Sequence, residues 1–275
     1  MKNKRSEFYL RLLSFVERLI HNNFTKIRIK IHKTDEKTDK ANNPESWEKM
    51  YLTKVKPITG VRSEISQRII DLTKEEDTLL ETGCGSGLLS AELAFSGRDV
   101  AVFDFSELIL NRVKELFKLS NLPEPKTYLA DMTKMLPFSD NQFDVIWNSG
   151  VLEHWTDDEL KPILQEFVRC SKKCVISFVP NERSILYRYG RENAEKNGIA
   201  PWGREIPRSS LKSQFEIAGL KKVFEETLGI SMAVNFLNYL DPAFSVEIGN
   251  WLNLLPESDP VKENQGYLLL TVGYK

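Results

Sequence analysis

The sequence predicts an α/β protein whose mostly parallel sheet is covered by helices on both faces. Five short apolar runs alternate with segments of helical spacing between residues 79 and 180, a pattern typical of right-handed βαβ units. Four of these runs end at a carboxylic acid or an amide, and a glycine-rich turn follows the first. Ligands of open parallel sheets bind beyond the carboxyl ends of the strands, so we expect the functional site there.

The composition fits one large domain with additions. Lys and Arg number 38 against 39 Asp and Glu in 275 residues, so no global field favours nucleic acid or an anionic membrane. Three cysteines without a paired CxxC pattern predict reduced thiols, and neither a disulfide framework nor a metal site is expected. No apolar stretch approaches the roughly 20 residues of a membrane span. We therefore predict a cytoplasmic protein without a membrane span, either a monomer or a homodimer.

Residues 1–46 are predicted to form an N-terminal helix and a polar linker. Apolar residues recur with helical spacing over 6–22, and residues 33–46 are polar and charged. The helix is expected to pack on the core or to cap the ligand site. The main domain is predicted over 47–275.

The stretch 79–89 (LLETGCGSGLL) combines a buried strand, a tight turn and the start of a helix. Glycines at 83, 85 and 87 let the backbone adopt φ > 0 and approach a ligand closely. The helix N-terminus behind them offers unpaired N–H groups to an anionic or strongly polar group. The spacing is G-x-G-x-G, whereas the dinucleotide fingerprint is G-x-G-x-x-G. NAD is therefore disfavoured as the ligand.

The strands that follow carry polar side chains at the same edge of the sheet. Strands are predicted over 99–105, 126–131, 143–148 and 173–179, and helices over 62–72, 88–95, 106–119 and 157–169. Asp104 lies 21 residues beyond Gly83, a distance at which a strand-end acid accepts both ribose hydroxyls of a bound nucleoside. Asp104 could instead be a carboxylate that only caps the next helix. Asp131, the acid at the end of the next predicted strand, could likewise be an ordinary turn residue.

Two further stretches are specific, LPFSDNQFDVI at 136–146 and LEH at 152–154. Together with the glycine loop they resemble the class I S-adenosylmethionine-dependent methyltransferases, in particular the type 11 methyltransferase-domain family. The resemblance covers about residues 75–180 well and 208–275 weakly. It implies a Rossmann-like seven-stranded sheet with an antiparallel last strand, and S-adenosyl-L-methionine as the cofactor.

The resemblance also implies a cofactor site along the strand ends. Asp104 would hold the ribose, Asp131 would accept from the adenine amine, and Met132 would frame the adenine ring. Glu81 stands where the family more often has Asp, and Phe103 stands where Gly is common, substitutions that keep the chemistry. The implied cofactor set is Glu81, Gly83, Cys84, Gly85, Gly87, Asp104, Phe105, Asp131, Met132 and Asn148.

The rest of the chain is expected to complete the sheet and to build the acceptor pocket. An insertion over 181–207 is longer than the usual connection after a strand, and loops of that length are often functional. A helix is predicted over 209–218, strands over 221–226 and 266–274, and one or two helices broken at Asp241-Pro242 over 231–255. Aromatic residues that could line a pocket for a flat or apolar molecule, or simply pack in the core, are Trp47, Tyr51, Tyr187, Tyr189, Trp202, Phe236 and Tyr239. Arginines that could meet an acidic group on the acceptor are Arg183, Arg188, Arg191 and Arg204.

The resemblance implies methyl transfer to a small molecule at an O, N or C nucleophile. The cofactor brings the reactive group, so the protein must align the acceptor and exclude water. If the acceptor is a hydroxyl, His154 is the candidate general base; positioning of the substrate or of its own loop is the alternative. Glu153 is expected to have a structural or positioning role. Methylation of RNA or protein, a non-catalytic cofactor-binding protein and an NAD-dependent oxidoreductase stay open as other functions.

Overall fold

The computed structural model describes residues 44–51, 54–199 and 205–275. The helix predicted over 6–22 lies outside these residues, as do Trp202 and Arg204 of the insertion. In this described part of the chain, no helix combines the length and the apolar character that crossing a membrane requires.

Within the described residues, seven strands form one sheet in the order β3-β2-β1-β4-β5-β7-β6. They are β1 Thr78–Thr82, β2 Asp99–Asp104, β3 Lys126–Leu129, β4 Phe143–Ser149, β5 Ser171–Pro180, β6 Lys221–Leu228 and β7 Leu268–Tyr274. The first five strands pair in parallel, whereas β7 runs antiparallel to both β5 and β6. The predicted sheet, mostly parallel with an antiparallel last strand, is confirmed.

Among the described residues, two helices precede β1 and the others lie between successive strands. They are α1 Pro44–Tyr51, α2 Glu64–Leu72, α3 Leu88–Phe95, α4 Glu107–Leu119, α5 Asp157–Cys170, α6 Ile185–Lys196, α7 Lys212–Ile217, α8 Ile230–Phe236, α9 Pro242–Asn253 and α10 Pro260–Glu263. At the start of α4, Ser106 Oγ accepts from the Ile109 backbone N–H at 3.3 Å. At the start of α5, Thr156 and Glu159 form a capping box. Local capping chemistry therefore sets the two helix starts that the sequence predicts.

Apolar side chains cover both faces of the sheet. Successive residues of a strand point to opposite faces, so Leu80 packs in one core with Phe167 of α5, and Leu79 packs in the other with Phe117 of α4. All four side chains are fully buried. The strands read as continuous apolar runs because helices cover both of their faces.

The insertion over 181–207 contains helix α6, where the sequence predicted a loop. Ser184 Oγ accepts from the Tyr187 backbone N–H at 3.3 Å and caps the first turn. The helix buries Leu186, Tyr187 and Ala194. This apolar stripe was missed because arginines, glutamates and a glycine interrupt it in the sequence.

Helix α6 packs with α8, the turn Leu237–Tyr239 and α9 into a third apolar cluster, which we call the cap. The chain enters the cap after Pro180 of β5 and after Leu228 of β6, and it returns to the sheet at Leu268 of β7. Leu268 pairs with both Pro180 and Leu228. The cap is therefore inserted at the carboxyl edge of the sheet, the edge from which the glycine loop also leaves.

Candidate active site

The glycine loop joins β1 to α3 and is tied to β2. Gly83, Gly85 and Gly87 have φ values of +68°, +48° and +69°, a left-handed conformation that residues with side chains disfavour. The Gly83 N–H donates to the Phe103 carbonyl oxygen at 2.9 Å. A Cβ at Gly87 would lie 2.6 Å from Val113 Cγ2 of α4. Both the conformation and the close packing require glycine here.

Asp104 ends β2 next to this loop, and only 3% of the residue is exposed. Its carboxylate accepts from the backbone N–H of Gly85 at 3.3 Å and of Ser106 at 3.1 Å. Burial raises the pKa of Asp104 to about 6, although these hydrogen bonds lower it. A buried carboxylate in this state gains from additional hydrogen-bond donors. Two ribose hydroxyls are such donors, so the site fits the nucleoside that the sequence predicts.

Glu81 lies one residue before the end of β1 and is also buried. Its Oε2 accepts from Ser90 Oγ of α3 at 2.5 Å. Burial raises the pKa of Glu81 to about 8, and the charge of Asp104 raises it as well. Two buried carboxyl groups beside one loop favour a ligand that carries positive charge. S-adenosylmethionine carries a sulfonium and an ammonium group, so the acids of this site fit it.

Asp131 and Met132 follow β3 and differ in their surroundings. Asp131 Oδ1 accepts from the backbone N–H of Thr133 at 2.9 Å and from its Oγ1 at 2.7 Å. Burial raises the pKa of Asp131, but the hydrogen bonds from Thr133 and Lys134 outweigh this effect and lower it. A Cβ built on Gly83 would lie 3.4 Å from Met132 Cε. Met132 therefore lies against the glycine loop, whereas the Asp131 carboxylate also holds its own turn.

The remaining predicted cofactor residues are Cys84, Phe105 and Asn148. Cys84 is buried, with its Sγ 4.0 Å from Asp104 Oδ2, and Phe105 is half-buried beside that acid. Asn148 Oδ1 accepts from Ser177 Oγ of β5 at 2.7 Å. Its Nδ2 is buried without a hydrogen-bond partner among the described residues. The structure therefore brings Cys84 to the acid, while it joins Asn148 to β5.

Helix α1 lies across the glycine loop and the end of β2. A Cβ built on Gly85 would lie 2.8 Å from the Tyr51 hydroxyl oxygen, so the Tyr51 ring packs directly on this glycine. Glu48 Oε1 accepts from Ser106 Oγ at 2.6 Å. Burial raises the pKa of Tyr51 to about 12, with further contributions from Asp104, Glu81 and Glu153. Tyr51 thus lies against the glycine loop, and its predicted place in the acceptor pocket stays a prediction.

His154 and Glu153 lie in a short 3-10 turn, Leu152–His154, just beyond β4. The His154 ring meets the Trp47 ring edge-on, with ring centroids 4.9 Å apart. Glu153 is 2% exposed, and its Oε2 is buried without a hydrogen-bond partner among the described residues. Burial raises the pKa of Glu153 to about 8, although a backbone hydrogen bond and the charges of Arg191 and Arg208 lower it. The turn therefore presents a buried carboxyl group with one oxygen atom, Oε2, that has no hydrogen bond within the described residues.

The cap contributes a polar cluster around Tyr187. This tyrosine is 1% exposed and lies edge-on to Phe236 and Tyr267, with both ring centroids 4.9 Å away. Its hydroxyl donates to Glu205 Oε2 at 3.0 Å and accepts from Arg191 Nη1 at 2.7 Å. Tyr189 packs half-buried against the same apolar cluster.

Two of the arginines that are predicted to contact the methyl acceptor bind other groups of the protein. Arg191 forms ion pairs with Glu205 and with Glu195, the latter at 2.7 Å. Arg183 Nε donates to the Ser209 carbonyl oxygen at 2.9 Å. Arg191 therefore already has two carboxylate partners in the protein, and its contact with an acidic group on the acceptor stays a prediction.

Three residues near Glu153 had no signal in the sequence. Arg208 bonds to Asp157 and to the Trp155 carbonyl oxygen, and Tyr267 and Glu205 pack around Tyr187. They come from two distant parts of the chain, 205–208 and 267, and only tertiary packing brings them together with Glu153. No group of three or more potential metal ligands occurs among the residues that the structure describes.

The middle of the chain is similar in sequence to known proteins. Residues 79–173 match a family model described as a methyltransferase domain. An uncharacterized methyltransferase of Synechocystis sp. is 28% identical over 116 residues, which are 42% of this chain and 47% of that protein. The chain thus spans less than half the length of the curated relatives that it matches.

Two solved structures share the fold. An S-adenosylmethionine-dependent methyltransferase of Thermotoga maritima, described as a possible histamine N-methyltransferase, has a TM-score of 0.51 at 20% identity, covering 76% of this chain and 87% of its own. A magnesium protoporphyrin IX methyltransferase of Synechocystis, solved with bound S-adenosylhomocysteine, has a TM-score of 0.50 at 13% identity, covering 84% and 93%. At these identities the likeness is one of fold. The family model supports the resemblance to methyltransferases that the sequence motifs indicated, and the two solved structures share its fold. Membership of the type 11 family stays a prediction.

Proposed function

We propose that this chain, whose residues 79–173 match a methyltransferase domain, is a class I S-adenosylmethionine-dependent methyltransferase that transfers a methyl group from S-adenosylmethionine to a small molecule. The observation that carries the proposal is the buried carboxylate of Asp104 beside the left-handed glycine loop. It is an acceptor of hydrogen bonds at the point where a nucleoside meets the sheet edge. The bound cofactor supplies a methyl group on a sulfonium, which a nucleophile of the acceptor attacks in line.

The residues of the chain bind and orient the cofactor in this proposal. Asp104 accepts from the two ribose hydroxyls, and Asp131 and Met132 contact the adenine. The N–H groups of the glycine loop, at the start of α3, face the carboxylate of the methionine part. Glu81 accepts a hydrogen bond from Ser90 and, when it ionises, adds negative potential that favours the positive groups of the cofactor. Cys84, Phe105 and Asn148 complete the wall of this site.

The acceptor lies between these residues and the cap. Trp47 and Tyr51 of α1 form one wall, and Tyr187 and Tyr189 of α6 form the other. Trp202, which lies outside the described residues, is assigned to the acceptor pocket from the sequence alone. His154 lies at the boundary, where it positions the acceptor or takes its proton. Aromatic walls suit a flat or apolar acceptor.

A small acceptor is favoured over RNA or protein. The net charge of −1 provides no field for a polyanion. Glu153 is buried and Tyr51 packs directly on the glycine loop, and both features favour a small acceptor over a macromolecule. The two structural neighbours are named for histamine and for magnesium protoporphyrin IX, both small molecules, and these names support the proposal.

Calorimetric titration of the full chain tests the cofactor assignment. We expect S-adenosylmethionine and S-adenosylhomocysteine to bind in the low-micromolar range or tighter, and NAD to give no measurable heat of binding. A cell extract separated into small molecules, RNA and protein is then incubated with cofactor labelled on its methyl group. The label is expected in the small-molecule fraction. Equal or tighter binding of NAD contradicts the assignment, and binding without label in any fraction favours a non-catalytic cofactor-binding protein.

A further inference from the structure

Glu153 has an unusual position between the cofactor residues and the cap. Its carboxyl group raises the pKa of Tyr51, which packs on Gly85, and also that of Tyr187 and Tyr267 in the cap. The Glu153 carboxyl group therefore lies within electrostatic reach of both walls of the proposed acceptor site. Its Oε2 is buried and has no hydrogen-bond partner among the described residues.

The two nearby arginines do not supply the missing hydrogen bond. Arg191 pairs with Glu205 and Glu195, and Arg208 pairs with Asp157. The Nε of Arg208 is itself buried without a partner in the described part of the chain. One acceptor atom and one donor atom of the same charged neighbourhood are thus both unsatisfied. A buried polar atom without a partner costs free energy, so a group that could satisfy both atoms would be bound favourably.

A hydroxyl group has the required chemistry, because it can donate to a carboxylate and accept from a guanidinium at once. We propose that the methyl acceptor is a phenol-like hydroxyl compound, that Glu153 takes the proton of this hydroxyl, and that Arg208 Nε donates to its oxygen. This inference rests on the proposed methyltransferase function and deepens it. It assigns the proton transfer to Glu153, whereas the sequence alone pointed to the adjacent His154.

The proposed step conserves atoms and charge. The Glu153 carboxylate accepts the hydroxyl proton, and the acceptor oxygen forms a bond to the methyl carbon while the bond between carbon and sulfur breaks. The electron pair of that bond stays on sulfur. The negative charge of Glu153 and the positive charge of the sulfonium both disappear, a change that a buried site favours. A phenol suits a weak base better than an aliphatic alcohol, because its pKa is near 10.

The first test measures whether the buried charge of Glu153 destabilises the folded protein or stabilises it through an ion pair. Its folded-state pKa lies above the ordinary value of 4.5, so the folded protein binds this proton more tightly than the unfolded chain. Stability from this group is therefore full below about pH 4 and is lost as pH rises through the folded value. The charged and titratable groups that face it are Tyr51, Tyr187, Arg191, Arg208 and Tyr267.

We expect Glu153→Gln to leave the Tm unchanged near pH 5 and to raise it at pH 8. Glu195→Gln is the matched control, because Glu195 is a half-exposed carboxylate on the same Arg191; its Tm difference from wild type is expected to be small at both values. If Glu153 instead held the cap through an ionic contact, Glu153→Gln would lower the Tm at pH 8 or prevent folding. Either result would overturn the inference.

The second test uses phenol and anisole, which have the same ring but differ in the hydroxyl hydrogen. Both are titrated at pH 8 into the full chain saturated with S-adenosylhomocysteine. We expect wild type to bind phenol about tenfold more tightly than anisole, the size of one hydrogen bond to a charged group. The preference is expected to disappear in Glu153→Leu and to persist in Glu195→Gln. Equal binding of phenol and anisole to wild type contradicts a hydroxyl acceptor. Benzylamine is titrated as a third probe, and tighter binding of this amine than of phenol contradicts it as well.

The two proposals fail in distinguishable ways. If wild type does not bind S-adenosylhomocysteine, the proposed function itself is wrong. If wild type and Glu153→Leu both bind S-adenosylhomocysteine equally, but neither discriminates phenol from anisole, only the assignment of Glu153 is wrong.

Discussion

The charged form of the Asp104 carboxyl group is stabilised by few hydrogen bonds and is destabilised by burial. The Gly85 and Ser106 N–H groups donate to its carboxylate, yet its pKa stays raised at about 6. Near neutral pH most of this carboxyl group is charged and only partly hydrogen-bonded. Residues in this state are often functional sites, since the ligand completes the hydrogen bonding that folding leaves incomplete.

Replacing Asp104 with Ala is expected to weaken binding of S-adenosylhomocysteine by about 1.5–3 kcal/mol, the scale of hydrogen bonds to a charged group. The fold should persist, because the change removes a buried charge and leaves the apolar core intact. Asp99→Ala is the matched control, since Asp99 is an exposed carboxylate at the other end of the same strand. Calorimetry measures both affinities. A folded Asp104→Ala protein with wild-type affinity would show that this residue does not hold the ribose.

The elements of the sheet could be predicted from the sequence, whereas the cap could be predicted only in part. Strands β1 to β5 read as short apolar runs bounded by glycine, proline or acids, and their ends fall close to the predicted positions. Helix α6 was missed because its buried side has only a few apolar residues, among them Leu186 and Tyr187. The location of the candidate site at the carboxyl ends of the strands could be predicted, because ligands of open parallel sheets bind there. The electrostatic influence of Arg208 on Glu153, and of Glu153 on Tyr267, was not predicted, since such long-range proximity leaves no local pattern.

The packing of α6 on α8 depends on Gly190. A Cβ at this position would lie 2.2 Å from the Phe236 carbonyl oxygen, and a backbone atom cannot move aside as a flexible side chain can. Gly190→Ala is therefore expected to lower the free energy of unfolding by about 1–3 kcal/mol, the usual cost of overpacking. Gly249→Ala in α9 is the control, because its Cβ would meet Val234 Cγ1 at an ordinary 3.5 Å.

Urea denaturation of both variants measures these differences. Gly249→Ala is expected to be neutral or to gain up to about 1 kcal/mol from helix propensity. If Gly190→Ala is as stable as Gly249→Ala, the two cap helices do not pack as closely as the structure shows.

At the scale of the whole molecule, the buried carboxyl groups of the site act together on stability. Burial raises the pKa of Glu81 to about 8, of Asp104 to about 6 and of Glu153 to about 8. Each of these values lies above that of the unfolded chain, so the folded protein binds more protons between about pH 4 and 8. The contribution of these groups to stability is therefore full below that range and is lost as pH rises through it.

Cofactor binding should oppose this loss, and the opposition can be measured. The ammonium group of S-adenosylhomocysteine and its ribose hydroxyls favour the ionised acids, so binding lowers their pKa values and releases protons. We expect the affinity to increase from pH 5.5 to pH 8, and the rise in Tm caused by saturating ligand to be larger at pH 8. Calorimetry in two buffers of different ionisation enthalpy counts the protons released. In Asp104→Asn, part of this release should be lost, because that side chain no longer titrates. Proton uptake on binding, or an affinity that does not depend on pH, would place the ligand away from these acids.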